Sequence, residues 1–150
     1  MSNSTIRRAT LKDIDSIINL CELHAHFEGA EYDREGKRQK LSKLLFQEPS
    51  QLHCLVAEKN DELLGYATAT KELSTWDAEF FLHMDCLYIL EKSRGEKLGY
   101  KFISEIKKLA KELECSHIQW QTPATNAGAI SFYKKCGASR KDKVRFFLSI

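Results

Sequence analysis

The chain has 150 residues, 43% of them hydrophobic and 29% charged, with a formal net charge of +2. That length fits one domain, 1–150, able to bury a core without metals or disulfides. Interspersed charges argue against the one-sided basic footprint of a nucleic-acid binder, and the apolar runs are too short to span a bilayer.

Five cysteines, Cys21, Cys54, Cys86, Cys115 and Cys136, are widely spaced and form no C-x-x-C, so they read as reduced core residues. The start, Met1-Ser2-Asn3-Ser4, carries neither a basic nor an apolar leader region. A cytoplasmic protein is expected.

Thr5 to Ala9 predicts a first strand. Thr10 followed by Asp13 predicts a capping box, opening a helix to about His26 on the stripe Leu11, Ile14, Ile17, Ile18 and Cys21. Residues 27–36 hold two glycines and four carboxylates, which predicts a loop; a second helix on Leu41, Leu44 and Leu45 ends at Pro49. Strands follow over 52–59 and 63–70 with Asn60-Asp61 as the turn, then an irregular polar connection over 71–79. Phe80 to Ile89 is apolar enough for a central strand covered on both faces.

A glycine-bearing turn, Glu91 to Tyr100, leads into a helix on Phe102, Ile103, Ile106, Leu109, Ala110 and Leu113. The first N–H groups of such a helix lack backbone partners, and with the helix dipole they form an anion site. Gly95 and Gly99 let a phosphate approach the main chain, while Arg94 and Lys97 supply charge. Ser116 to Gln121 reads as a short strand, Asn126 as the N-cap of a helix through Tyr133, Gly137 as its left-handed exit, and Lys143 to Leu148 as a last strand. The order β-α-α-β-β-β-α-β-α-β predicts an α/β fold whose mixed sheet is flanked by about four helices.

Two segments carry a family likeness. Arg94-Gly95-Glu96-Lys97-Leu98-Gly99 resembles the acyl-CoA loop of the GNAT superfamily of N-acetyltransferases, [Arg/Gln]-x-x-Gly-x-[Gly/Ala], except that Lys97 stands where the first glycine usually does. Asn126-Ala127-Gly128-Ala129-Ile130-Ser131-Phe132-Tyr133-Lys134-Lys135-Cys136-Gly137-Ala138 resembles the second signature, Asn-x-x-Ala-x-x-Phe-Tyr-x-x-x-Gly-[Phe/Ala], at every signature position. The element order matches that fold over the whole chain.

The resemblance implies an acetyltransferase of the EC 2.3.1 class, taking acetyl-CoA as cofactor. It places Leu87, Tyr88 and Ile89 against the pantetheine arm, with Asn126, and the loop Arg94, Gly95, Glu96, Lys97, Leu98, Gly99 and Tyr100 on the diphosphate. Lys134 or Lys135 would meet a 3′-phosphate or form a solvated face. Acyl transfer to an amine needs a base for the ammonium proton and an acid for the departing thiolate. The likeness makes Tyr133 the acid, where general burial habits would make it a packing residue. It also puts Asp85 at the usual base offset from the loop arginine, with a relaying water. His83, two residues away and so on the same face of an ideal strand, is the other candidate base. Each could instead be a satisfied polar group of the sheet.

The acceptor would meet Glu28, Glu31, Tyr32, Asp33, Trp76 and Asp77, carboxylates and aromatics suited to a cation, or these are a charged surface loop. The resemblance points to the small-amine, diamine acetyltransferase-like branch, with polyamine-like or aminoglycoside-like acceptors, and admits a homodimer. Protein N-terminal or lysine acetylation is one alternative, and a catalytically silent CoA-binding module is another. No metal, nucleic-acid or membrane partner is expected; His24 and His26 at i, i+2 share no helix face and have no third ligand.

Overall fold

The computed structural model describes residues 3–150, so Met1 and Ser2 of the expected leaderless start lie outside it. Five strands form one sheet in the order β1 (Thr5–Arg8), β2 (Leu52–Lys59), β3 (Glu62–Ser74), β4 (Glu79–Ile89) and β5 (Ile118–Gln119). The first four are antiparallel neighbours and β4 runs parallel to β5. A parallel pair needs a crossover, and helix α3 (Leu98–Glu112) supplies it between β4 and β5. Helices α1 (Ile14–Phe27) and α2 (Lys37–Phe46) precede β2, and α4 (Ala127–Lys135) follows β5.

Two apolar layers sandwich the sheet. On one face α3 contributes Leu98, Phe102, Ile103, Ile106 and Leu109 against Leu55, Ala67, Leu82 and Met84, with Phe132 and Tyr133 of α4 at the edge. On the other, Ile14, Ile17, Ile18 and Leu20 of α1 and Leu45 of α2 pack on Val56, Tyr66 and Tyr88. The cap of the first helix forms as the Thr10 and Asp13 spacing predicts, inside a tighter turn over Leu11–Asp13: the Asp13 carboxylate accepts from the Thr10 N–H at 2.7 Å. It also takes the Arg7 guanidinium on both oxygens at 2.8 and 2.9 Å, which ties β1 to the helix start.

Several expectations need correction. Leu11 and Leu44 are exposed and belong to neither core layer. The stretch 71–79 is largely strand, because β3 continues to Ser74 and β4 begins at Glu79, leaving a turn of 75–78. Polar side chains there face water on a hairpin that outruns the core. The Asn60-Asp61 turn forms, with both residues left-handed at φ 51° and 61°, the backbone twist that a two-residue hairpin loop needs.

The expected strand Lys143 to Leu148 is absent. Its alternation remains, but Phe146 is 90% exposed, and the tail beyond Ala138 makes no hydrogen bond to the body among the described residues. Among those residues no helix is long and apolar enough to cross a membrane.

Candidate active site

The site begins where the sheet opens. Strands β4 and β5 pair only at Leu82 with Ile118 and at His83 with Gln119. Beyond His83, β4 keeps β3 on one side and no described strand on the other. Asp85 marks the departure, since Cys86 pairs with Thr68 and Met84 with Ala69, leaving Asp85 as the extra residue of a β-bulge.

A bulge reverses the alternation of faces. Leu82 and Met84 join the α3 layer, and after Asp85 so do Leu87 and Ile89, while Cys86 and Tyr88 turn toward α1. The simple period-2 expectation for Cys86 therefore fails, while His83 and Asp85 stay near each other. His83 Nε2 lies 3.9 Å from Asp85 Oδ1, too long for a hydrogen bond, and Cys86, expected on the opposite face, has its thiol 3.6 Å from Asp85 Oδ2. The Asp85 side chain is 62% exposed.

Next comes the loop. Among the described residues, the N–H groups of Gly95, Lys97, Leu98, Gly99 and Tyr100 have no hydrogen-bond acceptor; Lys101 is the first to bond back, to the Lys97 carbonyl. Five unpaired donors at the positive end of a fifteen-residue helix fit a diphosphate. Lys97 holds φ 61° and Gly95 φ 94°, so the lysine takes the left-handed conformation that a glycine would provide.

Gly99 also has a packing purpose that its place in the loop did not announce. A Cβ there would come within 2.7 Å of the Phe132 ring, so its missing side chain is the seat of that ring, and Tyr100 meets Phe132 edge-on at 5.0 Å. The two signatures pack on each other. Arg94 has partners within the protein. Its Nε donates to the Ile89 carbonyl at 3.0 Å, and its guanidinium lies 4.5 Å from the Phe27 ring centre and 5.6 Å from that of Tyr88. Its charge is directed at the cleft wall.

Tyr133 projects from α4 beside this gap. Its ring packs edge-on against Trp120 at 5.1 Å and tilts on Phe132 at 5.4 Å, so packing and exposure of the hydroxyl coexist. The hydroxyl has no hydrogen-bond partner among the described residues. Burial, then the neighbouring Cys136 thiol and Glu28 carboxylate, push the phenol up to about 12, keeping it protonated at neutral pH. Asn126 caps α4, its side-chain oxygen accepting from the Ala129 N–H at 3.1 Å. Lys134 and Lys135 are exposed.

A sequence model of the Acetyltransferase (GNAT) family matches residues 16–138. The chain belongs to the GNAT acetyltransferase family. GNAT enzymes use acetyl-CoA, and the protein is an acetyl-CoA-dependent N-acetyltransferase of the EC 2.3.1 class. It is 26% identical over 146 residues to thialysine N-epsilon-acetyltransferase of Mus musculus, across 92% of this chain and 85% of that one. Over 85 residues it is 31% identical to a D-amino-acid N-acetyltransferase of Saccharomyces cerevisiae, covering 57% and 52% of the two chains.

The fold is shared with an aminoglycoside acetyltransferase from an uncultured soil metagenomic sample, solved with sisomicin. That match has a TM-score of 0.83 at 18% identity and covers 98% and 96% of the two chains. A second aminoglycoside N-acetyltransferase, solved with CoA, superposes with a TM-score of 0.84 at 14% identity over 99% and 96%.

On the acceptor side of the acetyltransferase, the expected residues divide. Glu28 lies at the carboxyl end of α1, close enough to Tyr133 to raise its phenol. The Tyr32 ring lies under the Lys37 ammonium at 5.0 Å, and its phenol is pushed up to about 12 by burial and by Cys21. Asp33 is exposed and caps its own turn, accepting from the Glu35 N–H at 2.9 Å, and Glu31 is exposed beside it.

Trp76 and Asp77 do not join this group. They occupy the turn of the β3–β4 hairpin, where Asp77 bonds Ser74 and Trp76 is 96% exposed. Strand rise puts the hairpin end of β4, at Glu79, roughly 20 Å from Asp85.

The sequence reading weighed His24 only as a metal ligand or a border of the acceptor pocket, and passed over Tyr66. His24 Nδ1 lies 2.8 Å from the Tyr66 hydroxyl, its ring stacks on Tyr88 at 5.2 Å, and its Nε2 is 3.5 Å from Glu28 Oε1. The readable signal was the i, i+4 spacing of His24 and Glu28 on one helix face.

Proposed function

We propose that this acetyltransferase transfers the acetyl group to a primary amine of a small cationic molecule, by direct attack within a ternary complex, as a single cytoplasmic domain over 1–150 that is able to form a homodimer. The observation that carries the reading is the alignment of three features around one gap. Unpaired N–H donors open α3, β4 has no strand partner on its β5 side from Leu87 to Ile89, and Tyr133, its hydroxyl unpartnered among the described residues, projects from α4 beside that opening. Acetyl-CoA supplies an activated thioester when bound.

The residues of the chain do the rest. The loop main chain from Gly95 to Tyr100 holds the diphosphate, and Asn126 and β4 hold the arm. Tyr133, kept protonated by burial, gives its proton to the departing thiolate. On β4, Asp85 is exposed enough to take the amine proton through water, and His83 is the second candidate there. The names of similar proteins support a small acceptor, since thialysine and sisomicin are both amines. Glu28 and Tyr32 offer a cation a carboxylate and an aromatic wall.

Acetyl-CoA is expected to raise the melting temperature at saturating concentration, whereas NAD leaves it unchanged; no shift with acetyl-CoA would remove the reading. Tyr133→Phe should then lower kcat on the best amine of a panel roughly 100-fold, with CoA affinity held within about twofold, and unchanged turnover would reject the acid.

A further inference from the structure

The wall of the cleft formed by α1 holds a polar constellation of which the reading above uses only Glu28. His24 is the hub. Its imidazole is 15% exposed, Nδ1 meets the Tyr66 hydroxyl at 2.8 Å, and Nε2 faces the Glu28 carboxylate, itself 41% exposed, at 3.5 Å. Tyr88 stacks on one face of the ring and Tyr66 meets it edge-on, so its orientation is fixed from two strands. Tyr88 belongs to the stretch of β4 that lost its β5 partner, and Glu28 is near enough to act on Tyr133. The ring thus stands between Tyr88, on the main chain that would hold the thioester, and the Glu28 carboxylate.

When Nδ1–H donates to Tyr66, the Nε2 lone pair and the Glu28 oxygen are two acceptors facing each other across 3.5 Å. Two acceptors in that position repel unless a cation or a proton lies between them. An alkylammonium has three N–H donors and satisfies both.

We propose that His24 Nε2 is the proton acceptor for the incoming amine, with Glu28 receiving a second N–H of the same ammonium. The inference rests on the small-amine reading and moves the base from β4 to α1. In the step, one N–H bond of the ammonium breaks, its electron pair stays on nitrogen, and that pair forms the new C–N bond as the thioester C–S bond breaks; the sulfur leaves as a thiol with the Tyr133 proton, and the second proton that the nitrogen gives up on becoming an amide restores the phenol. The proton passes to Nε2, the imidazolium is held by Glu28, and the proton leaves to solvent past the exposed carboxylate.

The groups facing His24 are Glu28 from α1, Tyr66 from β3 and Tyr88 from β4, with Asp85 of β4 near enough to act on it; Cys21 and Cys86 act on Tyr66, and Arg94 lies over the Tyr88 ring. Burial holds His24 below the ordinary histidine value, and Glu28, then Asp85, act in the opposite sense. The imidazole is therefore neutral and able to accept at neutral pH.

The test measures kcat/KM against pH, with free-thiol release as readout. It uses the best amine of a panel containing thialysine, a linear diamine and sisomicin, alongside an NMR titration of the labelled His24 ring. His24→Gln should lower kcat/KM roughly 100-fold or more and abolish the acid-side limb, with CoA affinity held within about twofold. Glu28→Gln should move both the limb and the ring titration to lower pH, and Asp85→Asn should keep the limb in place.

Retention of the wild-type limb and turnover in His24→Gln overturns the assignment, as does a limb that vanishes in Asp85→Asn, and in either case acetyl transfer stands. Should His24→Gln lose the CoA-induced melting shift, joint movement of limb and ring titration in Glu28→Gln decides instead; a limb that stays while the ring moves overturns the proposal. No thiol release from wild type with any amine, despite a CoA melting shift, removes the small-amine reading and this one together.

Discussion

The two faces of the sheet are made of different chemistry. Beneath α3 the buried layer is apolar throughout, with the small Ala57, Ala67 and Ala69 of the sheet meeting Phe102, Ile106 and Leu109, and with Trp120, Tyr133 and Cys136 only at its margin. Beneath α1 the layer contains Tyr66 and Tyr88, with Cys21, Cys86 and Tyr32 at its margin and His24 reaching in. The first face sets the start of α3, and hence the anion loop, in one place. The second holds groups that can exchange protons, next to the cleft. A single sheet thus separates rigid cofactor positioning from acceptor chemistry, and the bulge at Asp85 is the point at which β4 turns side chains from one layer to the other.

The sharpest test of that division pairs two substitutions. Phe102 is fully buried, and Phe102→Ala should cost about 3–5 kcal/mol of stability in denaturant unfolding. Tyr66→Phe removes one hydroxyl and keeps the ring, so it should cost only about 1 kcal/mol. Yet the hydroxyl holds His24, and kcat/KM should fall by roughly tenfold. Equal stability losses in the two variants would break the comparison.

The second test uses acid. His24 is held below its ordinary value, first by burial, and His53 of β2 is lowered by burial and then by Arg8. A histidine with a depressed folded value binds more protons unfolded than folded in the window between the two values. Stability therefore falls as pH drops through the unfolded value near 6.5 and stops falling below the folded one. His24→Gln should flatten part of that loss as pH falls through the unfolded value near 6.5 in melting curves. Asp13 acts lower down: hydrogen bonding to Arg7 depresses its carboxyl, so its contribution is present above the unfolded value and disappears as pH falls through the folded one. A loss confined to that lower window would place acid sensitivity outside the α1 wall.

How much of this was legible before the coordinates depended on whether the cause was local. The helix on Phe102, Ile103 and Ile106 and the N-cap at Asn126 announce themselves through periodicity and spacing within a dozen residues. The bulge at Asp85 does not, because an extra residue leaves the apolar run of β4 unchanged while reversing its faces. The contact of Gly99 with Phe132 joins segments 33 positions apart, so the glycine read as a phosphate residue is equally a packing residue. His24 was visible as a histidine four residues before a carboxylate, but only Tyr66, from another element, gives its ring a direction. The tail from Lys143 to Leu148 failed as a strand for the same reason: alternation describes a segment able to pair, and pairing needs an edge that this chain's own fold does not bring to it.

The smallest expected effect concerns Lys97, which departs from the family pattern within the loop set by α3. Its φ of 61° is a left-handed conformation that costs a side-chain-bearing residue about 1–2 kcal/mol. Glycine removes that strain but adds freedom to the unfolded chain, worth about 0.4–1 kcal/mol in the other direction. Lys97→Gly should therefore stabilise the protein by up to about 1 kcal/mol, raising the melting temperature by a few degrees. The loop already has the glycine-like conformation, and the donor at this position is the main-chain N–H, so CoA affinity should stay within about twofold. If affinity instead falls tenfold and the fall grows at low salt, the lysine ammonium grips the phosphates directly. The strained residue would then be a cation that replaces the charge Arg94 directs at the cleft wall, and cofactor binding would depend on a side chain as well as on the rigid face beneath it.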